Sequence, residues 1–222
     1  YVDMIVVRHF QEGSARLASE VTSIPIINAG DGSNQHPTQA LLDLFTIQEH
    51  FSNLETLNIG ICGDLLYGRT VHSLAQICSL FNMRLYFIAP PSLQVPEAIC
   101  DDLRKQEIKF SFHYDLSDVI GYLDVLYMTR LQKERIPISQ KAPSFEKCHL
   151  IPSLLEQAKP EMKVLHPLPH GEEISPLIDK TSHAAYFGQV KNGIYVRQAI
   201  LSLLLNKNNN INLTPTPALC YE

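Results

Sequence analysis

Short apolar runs rich in β-branched residues alternate with longer helix-compatible stretches along most of this 222-residue chain. Most of the runs are apolar throughout, which is typical of parallel strands covered on both faces. The alternation predicts an α/β fold with parallel strands and right-handed crossovers. The predicted strands are DMIVVR (3–8), IPIINAG (24–30), LNIGICGD (57–64), LYFIAP (85–90), KFSFHY (109–114), DVLYMTR (124–130) and MKVLHPLPH (162–170).

Helical spacing of apolar residues fills the segments between these strands. The helix at 37–51, with Pro37 in its first turn, lies between two groups of strands and is predicted to connect two domains, with a boundary near residue 35 or 50. Residues 207–222 are polar and contain proline, which predicts a tail. The other predicted helices are 11–21, 68–81, 96–107, 116–123, a mixed stretch at 144–159 broken near Pro152, and a long terminal helix at 192–205.

Composition excludes several classes of protein. With 45% hydrophobic residues the chain can form a substantial core, and a formal net charge of -5 argues against a nucleic-acid coat. No apolar run is long enough to span a membrane. The five cysteines include no CxxC pair or metal-ligand spacing, so Cys62 and Cys78 are interpreted as small buried hydrophobes, no metal site is expected, and the cytoplasm is the predicted location.

Polar residues collect where the predicted strands end, which in an open parallel sheet is where ligands bind. Arginine guanidinium groups fit carboxylate and phosphate oxygens bidentately, so the sequence predicts a small ligand with several negative charges. The residues at these positions are Arg8, His36, Gln39, Arg69, Arg130, Gln132 and the turn 166–169 (HPLP).

No motif for a common cofactor or nucleophile accompanies these residues. GxGxxG after a strand, GxxxxGK[ST] and GxSxG are all absent, so no cofactor is expected and direct group transfer by positioning and charge stabilisation is favoured. Other interpretations stay open for single residues. His36 could cap the helix beginning at Pro37, and HPLP could be a rigid strand exit containing a cis proline bond. Arg16, Arg104 and Arg135 are interpreted as solvated surface charges.

Four blocks together resemble the catalytic chains of the aspartate carbamoyltransferase family: AGDGSNQHPTQALLDLFTIQE (29–49), GDLLYGRTVHSL (63–74), LYMTRLQKER (126–135) and VLHPLP (164–169). The resemblance runs from Tyr1 to about Asn206. HPTQ alone is typical of the wider carbamoyltransferase superfamily. The arginine-containing block and HPLP, where ornithine enzymes typically carry HCLP, indicate the aspartate branch.

The resemblance implies two parallel-sheet domains of the carbamoyltransferase type, the first only partly present. Residues 1–35 would be the end of a carbamoyl-phosphate domain and 36–190 an aspartate-binding domain. Residues 191–206 would form a helix returning to the first domain, followed by the tail at 207–222. The implied reaction transfers a carbamoyl group from carbamoyl phosphate to the amino group of L-aspartate, an early step of pyrimidine synthesis.

The resemblance also implies a role for each site residue. Arg8 and His36 would contact carbamoyl phosphate, with His36 at the carbamoyl oxygen. The carbamoyl nitrogen would be held by Gln39 and by the backbone carbonyls of Pro167 and Leu168. The residues implied to grip the two aspartate carboxylates are Arg69, Arg130 and Gln132.

Departures from the family pattern limit these expectations. Leu66 stands where some relatives carry lysine, and His170 where arginine is common. A Ser-Thr-Arg-Thr phosphate loop and a Ser…Lys loop lent by a neighbouring subunit do not occur in the 222 residues. We therefore expect a homotrimer with shared active sites, and a chain that by itself is weakly active or inactive.

Two other functions remain open from the sequence: a non-catalytic scaffold or regulatory partner, and a carbamoyltransferase with another amine acceptor. The sequence also leaves open whether a regulatory chain or a dihydroorotase associates. Neither nucleic acid nor membrane is an expected partner.

Overall fold

The computed structural model describes residues 1–135 and 145–205. Strands and helices alternate as the sequence predicts, and most of their observed boundaries differ from the predicted ones by a few residues. In chain order the elements are β1 (Ile5–His9), α1 (Ser14–Glu20), β2 (Ile26–Asp31), α2 (Pro37–His50), β3 (Asn58–Cys62), α3 (Arg69–Ser79), β4 (Arg84–Ile88), α4 (Glu97–Lys105), β5 (Phe110–His113), β6 (Val125–Met128), α5 (Pro152–Leu155), β7 (Lys163–Leu165) and α6 (Tyr186–Leu205).

The strands form two parallel sheets, which confirms the predicted fold class. β1 pairs with β2 in one sheet, and the other has the order β5-β4-β3-β6-β7. From β3 the chain builds outward through β4 to β5, then returns to the other side of β3 to add β6 and β7. The strand order therefore reverses between β3 and β6, and the crevice at their carboxyl ends is the expected ligand site of an open parallel sheet.

Apolar side chains cover both faces of the five-stranded sheet. Ile61 and Phe87 lie in the cluster on one face, and Ile88 and Met128 lie in the cluster on the other. Double-sided burial accounts for the nearly continuous apolar character of β3, β4 and β6. The cysteines at 62, 78, 100 and 148 are free and buried, as interpreted for the first two of them.

Two predicted helices take a different form. Residues 116–123 make two successive 3-10 turns instead of an α-helix, because Asp115 caps the first turn through the Ser117 N–H and Leu123 returns to the core. In 144–159, Pro152 does not break a helix but begins the four-residue α5, as suits its missing N–H. The predicted tail at 207–222 lies outside the described residues.

The terminal helix is longer than predicted, beginning at Tyr186. It packs against α2, the helix that connects the two sheets in the chain. Within residues 1–135 and 145–205, no helix is long and apolar enough to span a bilayer. The same residues contain no group of three or more His, Cys, Asp or Glu side chains placed to hold a metal ion.

Candidate active site

A cavity of about 400 Å³ lies at the carboxyl ends of β3 and β6, where the strand order reverses. Every residue selected from the strand ends lines it, so the structure brings together positions from both sheets, α2, α3 and the turn after β7. The predicted residues in its wall are Arg8, His36, Gln39, Arg69, Arg130, Gln132, Pro167 and Leu168.

His36 is held at the start of α2. Its backbone N–H donates to Ser73 Oγ at 2.7 Å, while its imidazole makes no capping hydrogen bond to the helix. His36 thus occupies the N-cap position of α2, but its side chain does not cap the helix. Burial and, after it, the nearby charges of Arg69, Arg8 and Arg197 lower the pKa of His36 to about 4. The imidazole is consequently neutral at pH 7 and offers an N–H donor in the cavity wall without carrying charge.

Gln39 lies one helical turn further along α2. Its Nε2 donates to Asp43 Oδ1 at 2.8 Å, and Gln39 is 8% exposed. The NH₂ group of the Gln39 side chain therefore points into the protein interior, toward Asp43. Its carbonyl oxygen is left to accept a hydrogen bond from a ligand.

Arg69 begins α3 and folds back over the end of β2. A Cβ atom on Gly30 would lie 2.7 Å from Arg69 Cζ, and Gly30 has φ +116°, so only glycine permits this approach. The guanidinium Nη1 donates to the Gly32 carbonyl at 3.3 Å. Burial, followed by the charges of Arg8 and Arg135, lowers the pKa of Arg69.

Arg130 and Gln132 follow β6 and have separate supports. Arg130 forms a two-pronged ion pair with Glu134, with Nη1 to Oε2 at 3.1 Å, and this pairing lowers the pKa of Glu134 to about 2. The Gln132 backbone N–H donates to Asp64 Oδ2 at 3.1 Å, and its side-chain Nε2 donates to the Tyr67 carbonyl at 2.9 Å. These bonds fix the chain at the cavity edge and leave the Gln132 amide oxygen as an acceptor.

The turn after β7 has an unusual backbone. Leu168 has φ +48°, and the bond between Leu168 and Pro169 is cis. The Leu168 N–H donates to His166 Nδ1 at 2.8 Å, so the imidazole proton is on Nε2, which lies 3.0 Å from Glu173 Oε1. Burial tends to raise the pKa of Glu173, but hydrogen bonds from His166 and Gly171 lower it to about 2. A buried ionised carboxylate thus holds the His166 ring that shapes the turn.

Two arginines in the cavity wall were not predicted. Arg135, interpreted from sequence as a surface charge, instead lies in the wall and donates from Nη2 to the Gly32 carbonyl at 3.0 Å. Arg16 and Arg104 do form exposed ion pairs, as interpreted. Arg197 reaches the cavity from α6; in the sequence it is the one charged residue of the predicted helix at 192–205, which by itself does not indicate a site.

Four guanidinium groups in this wall have no carboxylate partner among the described residues; we call Arg8, Arg69, Arg135 and Arg197 the arginine cluster. Cations that are close together without counterions repel one another: burial lowers the pKa of Arg69, and the charges of Arg8 and Arg135 lower it further. A ligand with several negative charges relieves this repulsion. The predicted polyanionic ligand therefore fits the cavity.

The two departures noted in the sequence lie beside this site. Leu66 packs against the apolar cluster on one face of the sheet. His170 does not line the cavity: its Nε2 lies 3.3 Å from Asp179 Oδ1, and its ring packs against the rings of His166 and Tyr186.

Family profiles match nearly the whole described chain. The profile described as aspartate/ornithine carbamoyltransferase, carbamoyl-P binding domain, matches residues 1–49. The profile described as aspartate/ornithine carbamoyltransferase, Asp/Orn binding domain, matches residues 55–204.

Individual proteins agree with the profiles. An aspartate carbamoyltransferase catalytic subunit from Vibrio campbellii is 53% identical over 209 residues, which is 93% of this chain and 68% of that protein. The corresponding subunit from Chromobacterium violaceum is 52% identical over 207 residues, again 93% of this chain and 68% of the relative.

Solved structures share the fold. The catalytic subunit of M. jannaschii aspartate transcarbamoylase superposes with a TM-score of 0.84 at 46% identity, covering 94% of this chain and 68% of that one. Aspartate transcarbamoylase from Trypanosoma cruzi, in complex with aspartate and phosphate, gives a TM-score of 0.82 at 36% identity, covering 90% of this chain and 64% of that one. The chain thus spans about two thirds of the length of these relatives.

Proposed function

The chain belongs to the aspartate/ornithine carbamoyltransferase family, and we propose that its cavity serves the transfer of a carbamoyl group from carbamoyl phosphate to the amino group of L-aspartate. The products are N-carbamoyl-L-aspartate and inorganic phosphate. The observation that carries the proposal is a neutral histidine and an amide acceptor beside four guanidinium groups that lack a carboxylate partner.

The carbamoyl group fits the α2 side of the cavity. The His36 N–H and Arg8 are proposed to bind the carbamoyl oxygen, where negative charge grows as the amine attacks the carbonyl carbon. Gln39 Oε1 and the backbone carbonyls of Pro167 and Leu168 are proposed to accept hydrogen bonds from the carbamoyl nitrogen. A neutral His36 suits this task because it donates a hydrogen bond without a change of protonation state.

Aspartate fits the side of the cavity formed by Arg69, Arg130 and Gln132. Two guanidinium groups on separate elements suit two carboxylates, and they leave the amine free to approach the carbonyl carbon. As the carbon–nitrogen bond forms, the bond from that carbon to the bridging phosphate oxygen breaks. The departing phosphate is proposed to take the proton that the amine loses, so the step balances without a separate protein base.

Three expectations from the sequence remain predictions: the domain limits at 1–35, 36–190 and 191–206, a homotrimer with shared active sites, and location in the cytoplasm. The two family profiles divide the chain between residues 49 and 55, close to the later of the two boundaries considered above.

Rates of carbamoyl transfer test the proposal directly. The complete natural protein, supplied with labelled carbamoyl phosphate, should form N-carbamoyl-L-aspartate with L-aspartate and no comparable product with L-ornithine. Arg130→Ala should raise the KM for aspartate by about a hundredfold, since it removes a bidentate partner of a carboxylate. Transfer to ornithine but not aspartate would assign another acceptor, and transfer to neither would favour the non-catalytic alternative.

A further inference from the structure

A buried path of hydrogen bonds connects the two sets of acceptors proposed for the carbamoyl nitrogen. Gln39 lies on α2, whereas Pro167 and Leu168 follow β7, so their relative placement depends on what joins these elements. Asp43 on α2 and Gln189 on α6 supply the link. We call Gln39, Asp43, Gln189 and His166 the amide network.

Asp43 is the centre of this network. It is fully buried, and its Oδ1 accepts two hydrogen bonds, from Gln39 Nε2 at 2.8 Å and from Gln189 Nε2 at 2.6 Å. Both donors are amide NH₂ groups, so one carboxyl oxygen sets the orientation of both side chains.

The orientation of Gln39 matters because the two ends of its amide have nearly the same shape and opposite hydrogen-bonding character. A carbamoyl NH₂ group is a donor and needs an acceptor. With Nε2 held by Asp43, the Gln39 oxygen is the end left for the ligand. A reversed amide would place a donor against a donor.

The other half of the network reaches the turn after β7. Gln189 Oε1 accepts the backbone N–H of His166 at 2.9 Å, and His166 Nδ1 accepts the N–H of Leu168 at 2.8 Å. Because its Nε2 donates to Asp43, Gln189 must present its oxygen to His166. Each amide in the path therefore has its orientation determined by the next group.

We propose that Asp43 is a positioning residue that fixes the Gln39 amide for the carbamoyl nitrogen and, through Gln189, holds Gln39 in register with the turn at Leu168. This inference rests on the proposed function. Asp43 does not line the cavity, so it acts only through the side chains that it orients.

The role depends on an acceptor oxygen rather than on charge. Asp43 Oδ2 and the Tyr127 hydroxyl are both buried and lack a well-formed hydrogen bond among the described residues, although they lie close enough to influence each other. An asparagine at this position keeps Oδ1 for the two amides and turns its NH₂ toward the Tyr127 oxygen. Asp43→Asn should therefore preserve the arrangement, whereas Asp43→Ala removes it.

Steady-state kinetics on the complete natural protein separate these variants. Asp43→Ala should raise the KM for carbamoyl phosphate at least fivefold, with kcat and the KM for aspartate within threefold, because a contact to the carbamoyl nitrogen forms before and during the reaction. Asp43→Asn should stay within twofold of the unmodified protein. Thr46→Val is the matched control: Thr46 lies on the same buried face of α2 and accepts a bond from Asn192, but it touches no part of the amide network. Its KM should not change.

A double-mutant cycle shows whether Asp43 acts through Gln39. In a Gln39→Ala background, Asp43→Ala should add less than a twofold change in KM. If Asp43→Ala does not fold, as judged by thermal unfolding, Gln189→Leu replaces it and should raise the same KM two- to fivefold in the natural background only.

An unchanged KM in Asp43→Ala, an equal loss in Asp43→Asn or Thr46→Val, or a full effect in the Gln39→Ala background would each overturn the positioning role. An unmodified protein that makes no carbamoyl aspartate would instead overturn the proposed function.

Discussion

The amide network reaches the cavity wall through Gln39 and His166, whereas all four members of the arginine cluster line it, and the two sets differ in how their polar groups are satisfied. In the amide network, a single Asp43 oxygen accepts bonds from two amides inside the protein. In the arginine cluster, no member has a carboxylate partner among the described residues, and after burial the charges of Arg8 and Arg135 lower the pKa of Arg69. The first is organised by the protein itself, whereas the second needs an anion to offset its charge. Binding of anionic ligands should therefore stabilise the residues of the arginine cluster more than those of the amide network.

Removing a cation from the arginine cluster should have the largest effect. Arg69→Ala deletes a guanidinium that is proposed to hold a substrate carboxylate, so kcat/KM for aspartate should fall by about a thousandfold. The measurement is the initial rate at limiting aspartate. Arg104→Ala is the control, because Arg104 forms exposed pairs with Glu97 and Asp101 far from the cavity wall, and its activity should not change. Equal losses in both variants would contradict the assignment.

Gly30→Ala tests whether the position of Arg69, and not only its charge, matters. The added Cβ would lie 2.7 Å from Arg69 Cζ at a backbone φ of +116°, so the guanidinium must move. We expect kcat/KM for aspartate to fall by about a hundredfold, together with a loss of about 1–2 kcal/mol in the free energy of unfolding. Gly188→Ala, with nothing within 4 Å of the added atom, should keep full activity. An active Gly30→Ala protein would show that Arg69 need not lie over β2.

The pH dependence of stability probes Asp43, the buried centre of the amide network. Burial raises the pKa of Asp43 to about 7, despite hydrogen bonds from Gln189 and Gln39, so between about pH 4 and 7 the folded state holds a proton that the unfolded state has lost. Rising pH therefore lowers the stability of the natural protein relative to Asp43→Asn, with a slope difference of up to about 1.4 kcal/mol per pH unit. Urea unfolding of both proteins across this pH range measures the difference in slope. If the two free energies of unfolding change in parallel with pH, Asp43 has the same pKa in the folded and unfolded states.

The smallest change is expected at His36, where burial and then the nearby arginine charges should suppress titration. Burial and the charges of Arg69, Arg8 and Arg197 lower its pKa to about 4, so its NMR signals should not move between pH 5.5 and 8. His36→Gln assigns the signals among the nine histidines. Saturating inorganic phosphate should raise the pKa, since a bound anion offsets the arginine charges. A midpoint near 6.5 without ligand would contradict this account.

Much of the site was predictable because its residues follow strands that the sequence pattern identifies well. His36, Arg69 and Arg130 each lie within a few residues of a strand end or helix start, and topology places such positions at one edge of the sheet. The sequence could not reveal Arg135 as a cavity residue. Its inward direction depends on contacts with Gly32 and Ser33, about a hundred positions away along the chain.

Asp43 was unpredictable for a related reason. A carboxylate in the interior of an amphipathic helix is ordinarily a solvated group, and here it is buried only because α6 packs across α2 and brings Gln189 to it. The 3-10 turns at 116–123 show the same limit at the level of secondary structure. Apolar spacing predicts that these residues are buried, but the Asp115 cap and the short path to β6 determine their backbone.

The cavity wall draws on residues from Arg8 to Arg197, nearly the full described length of the chain. Contacts between positions so far apart require closure of a long loop, which makes them slow and late to form. During refolding we expect the helical circular dichroism signal to recover before the protein regains phosphate binding. Simultaneous recovery of the two would contradict this order. A polypeptide still emerging from the ribosome would thus carry most of its secondary structure while its arginines remain dispersed, and it would acquire affinity for its ligands only when α6 closes onto α2.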